Sequence, residues 1–352
     1  MKTFTLFALI VSSTFALGQG CIAAHTNQSI CAMGPQEETS SGKTHGGPHD
    51  FMHKVSVEVD WRSFSSFRHY VGTVEQTQRA VLGTQIKNHQ NIYNIAVNYD
   101  LNPRWSLNVS VPVLQGTRNQ LYTPKGVYEI AGVGDIIVGA QSWLFRGPTE
   151  WGGNVAIGFG LKLPTGVSDA TGTALLSNGT YGKAVADQSM QPGDGSWGFT
   201  LSSQAYKQTY FKTTAYFQGS WLFNPRDTNN VLTFRSRPLE KYMSVTDQYL
   251  FRAGLGRHVP KVRGLSATFG GRMEGIPVRD AFGKSNGFRR PGYIISLDPG
   301  ITYQYGRSTL MVNAPWAIQR NRRASVPDLA VGGHGDAAFA DYALVMGIAH
   351  HF

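Results

Sequence analysis

The stretch Asp341-Tyr342-Ala343-Leu344-Val345-Met346-Gly347-Ile348-Ala349-His350-His351-Phe352 closes the chain and decides how the rest is read. Tyr342, Leu344, Met346, Ile348 and the terminal Phe352 fall on every second position, and Asp341, Ala343, Val345, Gly347 and Ala349 fill the other set. A period of two puts alternate side chains on opposite faces of a strand, so one face is large and apolar and the other small or polar. His350 departs from the large face, where an aromatic or aliphatic residue is expected. This alternation suits the last strand of a soluble sandwich as well as a strand that crosses a bilayer.

Composition separates the two. The chain has 352 residues, 41 Gly, 15 Tyr, 19 Phe and 7 Trp, and only 15% are charged. After the leader no run approaches the roughly 18 apolar residues of a transmembrane helix. A mean hydropathy of −0.21 fits a spanning barrel, because half of every strand faces a polar lumen. The formal charge of +10 lies mostly in predicted loops with no nucleic-acid-binding motif around it, which argues against nucleic acid and for a surface facing anionic lipid.

From Val55 onward, segments of 8 to 12 residues alternate apolar and polar positions, the length a tilted strand needs to cross a membrane. Val55, Val57, Val59 and Trp61 alternate with Ser56, Glu58, Asp60 and Arg62. Twelve such segments are counted, beginning at 55–64 and ending at 341–352, and their connections alternate between short turns (100–104, 146–150, 305–307) and long stretches (67–90, 115–132, 164–193, 224–246, 279–291, 319–335). Short turns on one rim and long loops on the other predict an all-β fold, a transmembrane antiparallel up-and-down barrel of about 12 strands. The terminal strand, with Tyr342, Leu344, Met346, Ile348 and Phe352 on its lipid face, resembles the insertion signal read by the barrel-assembly machinery.

The N-terminus divides into two parts. Residues 1–18, with Lys2 before the apolar run 4–17, are expected to be a signal peptide. Residues 19–53 are polar and aperiodic, an expected flexible periplasmic segment ahead of a barrel over 54–352. Cys21 and Cys31 enclose a short loop and form a candidate disulfide in an oxidising compartment. His45, His49 and His53 are weak metal candidates without zinc-type spacing, and no metal or cofactor is expected.

Four strings carry a family resemblance: Gly132-Val133-Gly134-Asp135-Ile136, Leu161-Lys162-Leu163-Pro164-Thr165-Gly166, Gln191-Pro192-Gly193-Asp194-Gly195-Ser196-Trp197 and Asp298-Pro299-Gly300-Ile301. Over 61–352 the chain resembles the outer-membrane channels associated with phenol meta-pathway degradation, a family similar in turn to hydrocarbon and fatty-acid channels. The resemblance implies a small apolar or aromatic solute. Pro164-Thr165-Gly166 and Gly193-Asp194-Gly195 read as the two hinges of a long loop that caps or enters the lumen, with Leu175-Leu176 as its apolar tip.

Opposite the apolar register stand Glu58, Asp60, Arg62, Lys162, Arg252, Arg272, Glu274 and Asp298, together with polar Asn94, Asn108, Gln141, Thr200 and Gln204. Charges of both signs on the wall either form a constriction or pair into a plug. Trp61, Tyr93, Trp105, Trp143, Trp221, Tyr293 and Trp316 are expected at the membrane interfaces. Arg235, Arg237, Lys241, Arg279, Lys284, Arg289, Arg290, Arg320, Arg322 and Arg323 are expected to face outward toward lipopolysaccharide and other outer-membrane lipids. No GxSxG string occurs, so no catalytic residues are assigned and the chain is not expected to be an enzyme. The expectation is a channel in the outer membrane of a Gram-negative-type bacterium for passive uptake of small solutes, aromatic or other hydrophobic compounds among them. Two alternatives stay open: an outer-membrane lipid hydrolase, and a plugged barrel with a structural or adhesive role.

Overall fold

Four of the five inward positions that the period of two assigns to the terminal strand are buried, Asp341 being half-buried, and the large apolar side chains alternate toward the outside. In the computed structural model, which describes residues 53–120, 126–145, 152–176 and 178–352, Ala343, Val345 and Ala349 face inward while Tyr342 and Ile348 are exposed. The signal peptide, Cys21, Cys31, His45, His49 and the turn 146–150 fall outside the described residues.

The strands follow in chain order. β1 (Val55–Val71) turns through the short β2 (Val74–Glu75) into β3 (Asn88–Asp100), β4 (Trp105–Gln120), β5 (Gly126–Val133), β6 (Ile137–Trp143) and β7 (Gly153–Lys162). A hairpin of β8 (Thr171–Leu175) and β9 (Tyr181–Val185) precedes β10 (Gly198–Gln208) and β11 (Thr213–Phe223). A second hairpin, β12 (Thr228–Leu232) and β13 (Tyr242–Ser244), precedes β14 (Gln248–His258), β15 (Leu265–Ile276), β16 (Gly292–Leu297), β17 (Gly300–Tyr305), β18 (Ser308–Asn313), β19 (Trp316–Arg322) and β20 (Ala337–His351).

Twelve wall positions result, because β5 with β6, β16 with β17 and β18 with β19 each form one interrupted strand. All neighbours are antiparallel, and β20 pairs with β1 from Ser56↔His351 to Tyr70↔Ala337. That seam closes the barrel and removes the sheet edge that a membrane would leave unsatisfied. Two of the interruptions carry proline: Pro299 and Pro315 have no N–H to give to a ladder, so the strands break there. Gly300 is required beside the first break, since a Cβ would lie 2.2 Å from the Asn313 amide.

The twelve segments read from the sequence correspond one to one with these wall positions. The extent of the wall differs. β1 runs on to Val71, β4 to Gln120, and β5 rises beside β4 through the pairs Val113↔Val133 to Gln120↔Gly126, where a loop was expected over 115–132. The loops 164–193 and 224–246 likewise contain hairpins of their own.

Candidate functional site

The inward face of β1 carries Glu58, Asp60 and Arg62, and the third of these crosses the barrel. Arg62 Nη2 lies 2.6 Å from Glu274 Oε1 on β15. Between β1 and β15 stand β20 and the two interrupted strands, so the contact is a chord through the lumen rather than a bond between neighbours. Arg272 takes the other carboxylate oxygen of Glu274 at 3.1 Å. Beside it Arg252 Nε donates to Asp298 Oδ2 at 2.7 Å and Nη1 to Gln218 Oε1 at 3.2 Å, and the Asn313 amide donates to Asp298 Oδ1 at 3.2 Å. One side of the lumen is thus an ion-paired belt. Glu58 and Asp60 lie on the same inward face nearer the N-terminal end of β1 and stay outside the Arg252–Asp298 and Arg272–Glu274 pairs. Lys162 belongs to a different group, pairing with Asp194 and standing 3.7 Å from Asp135.

The opposite side is built from small residues. Inward positions there are Gly139 on β6, Ala156, Gly158 and Gly160 on β7, and Thr200 and Ser202 on β10, as the register Gly139↔Gly160 and Gly158↔Ser202 requires. Asn108, Gln141, Thr200 and Ser202 all keep partial solvent exposure although they point inward. A solvent-reachable lane therefore runs beside the paired belt. Toward the short turns it ends at Tyr206, whose ring meets Trp143 edge-on at 5.8 Å, with Tyr216 beside it across the pair Tyr206↔Tyr216. Trp143 was expected at the membrane interface. It pairs with Ala156, an inward residue, and so faces the lumen instead.

Across the top of this lane lies the loop between β7 and β10. Its two hinge strings meet: Asp135 accepts from Gly166 N at 2.9 Å and from Asp194 N at 3.0 Å, and a Cβ on Gly193 would come within 2.6 Å of the Gly166 backbone. Glycine is needed at both places because the two ends of the loop touch backbone to backbone. The tip that enters the lumen is Met190, fully buried against Phe64, Ile92, Leu114, Tyr128 and Ile130, with Ala186 beside it. Gln90 holds the tip by donating to the Ser189 carbonyl. Leu175 and Leu176, expected to fold inward, are only half-buried in and after β8. The hairpin directs Met190 rather than these leucines at the wall.

A carboxylate locks the loop. Arg290 Nη1 donates to Asp187 Oδ1 at 2.7 Å and Nη2 to Oδ2 at 2.6 Å, a parallel bidentate pair. Arg118 Nη2 stands 3.4 Å from the same Oδ2, and Ser189 donates to Oδ1 from both N and Oγ. Burial alone would raise the Asp187 pKa, but the Arg118 and Arg290 cations and these hydrogen bonds outweigh it and hold the carboxyl well below the usual carboxylate range. Asp187 and Met190 were absent from the sequence-derived site.

Several basic residues expected on the outer surface are in fact interior. Arg289 is fully buried and pairs with Asp280; Arg322 pairs with Asp328 at 3.0 Å and Arg320 with Asp341 at 2.5 Å. Each has a carboxylate partner, which is what allows a guanidinium to leave water. Arg237, Lys241, Arg279, Lys284 and Arg323 are exposed as expected. His53 Nδ1 lies 3.2 Å from the Phe352 carbonyl oxygen, and no group of three or more metal-ligating side chains occurs among the described residues.

A closed 12-strand antiparallel barrel with short turns at one rim, long loops at the other and a loop folded into the lumen is the fold of Gram-negative outer-membrane proteins. Among solved structures the chain is similar to the COG4313 outer-membrane channel from Pseudomonas putida F1, with a TM-score of 0.58 and 12% identity over 88% of this chain and 100% of that one. Lower similarity is found to the β domain of the Bordetella autotransporter BrkA (TM-score 0.46, 13% identity, 84% of this chain and 100% of that one). The P. putida toluene transporter TodX follows (TM-score 0.40, 8% identity, 85% and 90%). No family model and no curated protein matches the sequence.

Proposed function

We propose that this chain is an outer-membrane channel for passive passage of small solutes, with aromatic and other hydrophobic compounds as its class. The observation that carries the reading is the asymmetric lumen. A barrel filled as a plug pairs or packs its inward side chains on every side, whereas here Asn108, Gln141, Thr200 and Ser202 remain reachable by solvent opposite the ion-paired belt. The aromatic class is supported by Trp143 and Tyr206 at one end of the lane. It is supported also by a cavity of about 100 Å³ beside the loop, lined in part by Ile92, Leu114, Leu222, Met243 and Ile276. Membership of the phenol meta-pathway channel family, suggested by the four strings, is part of the same proposal, and so are lipopolysaccharide contact and assembly-machinery recognition.

Proteoliposomes containing the purified chain are expected to admit benzamide, a polar aromatic solute, faster than protein-free vesicles, with entry followed by an encapsulated reporter. Entry at the protein-free rate would remove the channel reading in favour of the plugged barrel.

A further inference from the structure

Arg235, in the outer vestibule, is half-buried without a carboxylate at ion-pair distance among the described residues. It lies in the turn of the second hairpin, after β12, where its backbone N–H donates to Thr233 Oγ1 at 3.1 Å. Its guanidinium stands 4.7 Å from the Phe288 ring centroid and 5.1 Å from Phe234, and its buried Nε has no hydrogen-bond partner. Burial first, and then the neighbouring Arg290 cation, pull its pKa below the ordinary arginine value, while Glu240, Asp187 and Asp336 attract it only from beyond ion-pair distance. It stays charged, since arginine does not lose its proton in proteins.

This side chain borders a cavity of about 130 Å³ that Arg79, Arg118 and Arg290 also line, with apolar surface from Phe234 and Ile86. Three of the four arginines are served. Asp336 takes Arg79 at 2.7 Å, and Asp187 takes Arg290 at 2.6 Å and Arg118 at 3.4 Å. Two carboxylates thus face four arginines, one of them, Asp336, standing on the cavity wall beside His69, and the cation left over is the guanidinium that already lies on aromatic faces. A built carboxylate–arginine pair stands next to it as a template, because Arg290 receives Asp187 through two parallel hydrogen bonds.

We infer that this cavity binds the carboxylate of a small organic monoanion with an aromatic body, Arg235 receiving the carboxylate and the ring lying against Phe234 and Ile86. A planar guanidinium fork matches a carboxylate in two parallel bonds, and the apolar walls favour an anion that carries a ring over a bare inorganic one. The inference rests on the channel reading and supplies its substrate class: solutes that reach the lumen are first captured at the mouth by charge.

The test uses the full chain in detergent and titration calorimetry with three probes: benzoate, its neutral isostere benzamide, and inorganic phosphate. Benzoate is expected to bind the wild type and to lose about tenfold or more in affinity in Arg235→Gln, the scale of a lost charge-assisted pair. Arg235→Lys keeps the charge without the fork and should fall between the two, and Arg237→Gln, an exposed neighbour, should match the wild type. Heat-modifiable migration of each variant checks that the barrel is folded. Equal benzoate affinity in wild type and Arg235→Gln, or no benzoate binding at all, overturns the site. Phosphate binding as tightly as benzoate overturns the organic class and points to a lipid or free phosphate. Benzamide entry into proteoliposomes reports on the channel reading separately: its failure with benzoate binding intact sinks the channel and leaves the site, whereas its persistence in a chain that binds no benzoate does the reverse.

Discussion

Replacing Asp187 with Ala should release the loop from the lumen and raise solute passage by one to two orders of magnitude or more. The carboxylate is fully buried between Arg118 and Arg290, themselves 3% and 6% exposed. Removing one partner of a buried ion pair costs about 3–5 kcal/mol, because the cations left behind lose the carboxylate that compensated their burial. Each 1.4 kcal/mol is about a factor of ten in an equilibrium, so even a part of that cost spent on the closed position of the loop shifts it far toward open. The wall strands do not depend on Asp187 for their ladders, and the barrel is expected to survive. Single-channel recording in planar bilayers reads the result: a larger and more frequent conductance in Asp187→Ala, and an intermediate one in Asp187→Asn, which keeps the shape and loses the charge. Conductance equal to the wild type would mean that the latch does not hold the loop. The pH dependence has a definite sign. The folded pKa of Asp187 is depressed, so its contribution is complete above the roughly 3.9 of a free aspartate and is lost only as pH falls through the lower folded value. Acidification from neutral to about pH 5 should therefore leave the wild-type latch closed.

The second large effect is expected at the chain end. Deleting Phe352, or replacing it with Lys, should remove most of the folded barrel from the outer membrane. β20 is the seam strand, paired with β1 on one side and with β18 on the other, and Phe352 extends it: its N–H donates to the Val55 carbonyl at 3.2 Å and its ring meets His350 edge-on at 4.8 Å. A lysine there places a charge on the apolar face that continues from Tyr342 through Ile348, and an unclosed seam leaves two strand edges exposed. Separation of membranes followed by heat-modifiable gel migration measures the outcome. Normal amounts of folded barrel in either variant would detach the terminal residue from assembly.

The wall was legible in the sequence because each spanning strand obeys one rule, large apolar residues outward and small or polar ones inward. The first half of β1 and β20 from Tyr342 to Ile348 show it. Where the strands rise above that band the rule inverts. On β5, Tyr128 and Ile130 face inward and Glu129 outward, because the inside now packs on Met190 while the outside meets water, and a search for lipid-facing alternation passes over it. The inward register placed Arg62 and Glu274 on the lumen side but did not pair them; the chord between them appears only in the closed barrel. Nor was the latch legible. Asp187 and Arg290 are 103 residues apart, each in a polar stretch with no periodicity, and nothing local marks either as buried. Arg289 and Arg322 likewise find their partners Asp280 and Asp328 only when the loops fold, while Arg320 meets Asp341 across the neighbouring strands β19 and β20. Charge in a long connection reads as surface until its counter-charge is located. Gly166 and Gly193 were read as the two ends of the loop and do meet there, but the part of the loop they aim into the barrel is set by the β8–β9 hairpin, which brings Met190 and not Leu176 to the wall.

Function turns on the loop carrying Met190, which governs an otherwise passable lumen. A reversible tether tests it: Gln90→Cys with Met190→Cys joins the loop tip to β3 where those two side chains now touch at 3.8 Å, in a chain with Cys21 and Cys31 replaced by Ser. Once a mobility shift verifies the cross-link, single-channel conductance and benzamide entry are measured before and after dithiothreitol in the same preparation. Passage that is near the protein-free level when oxidised and rises on reduction is the expected result. Equal passage in the two states would show that solutes cross without the loop moving, or that they do not cross at all, and either outcome contradicts a channel gated by this loop.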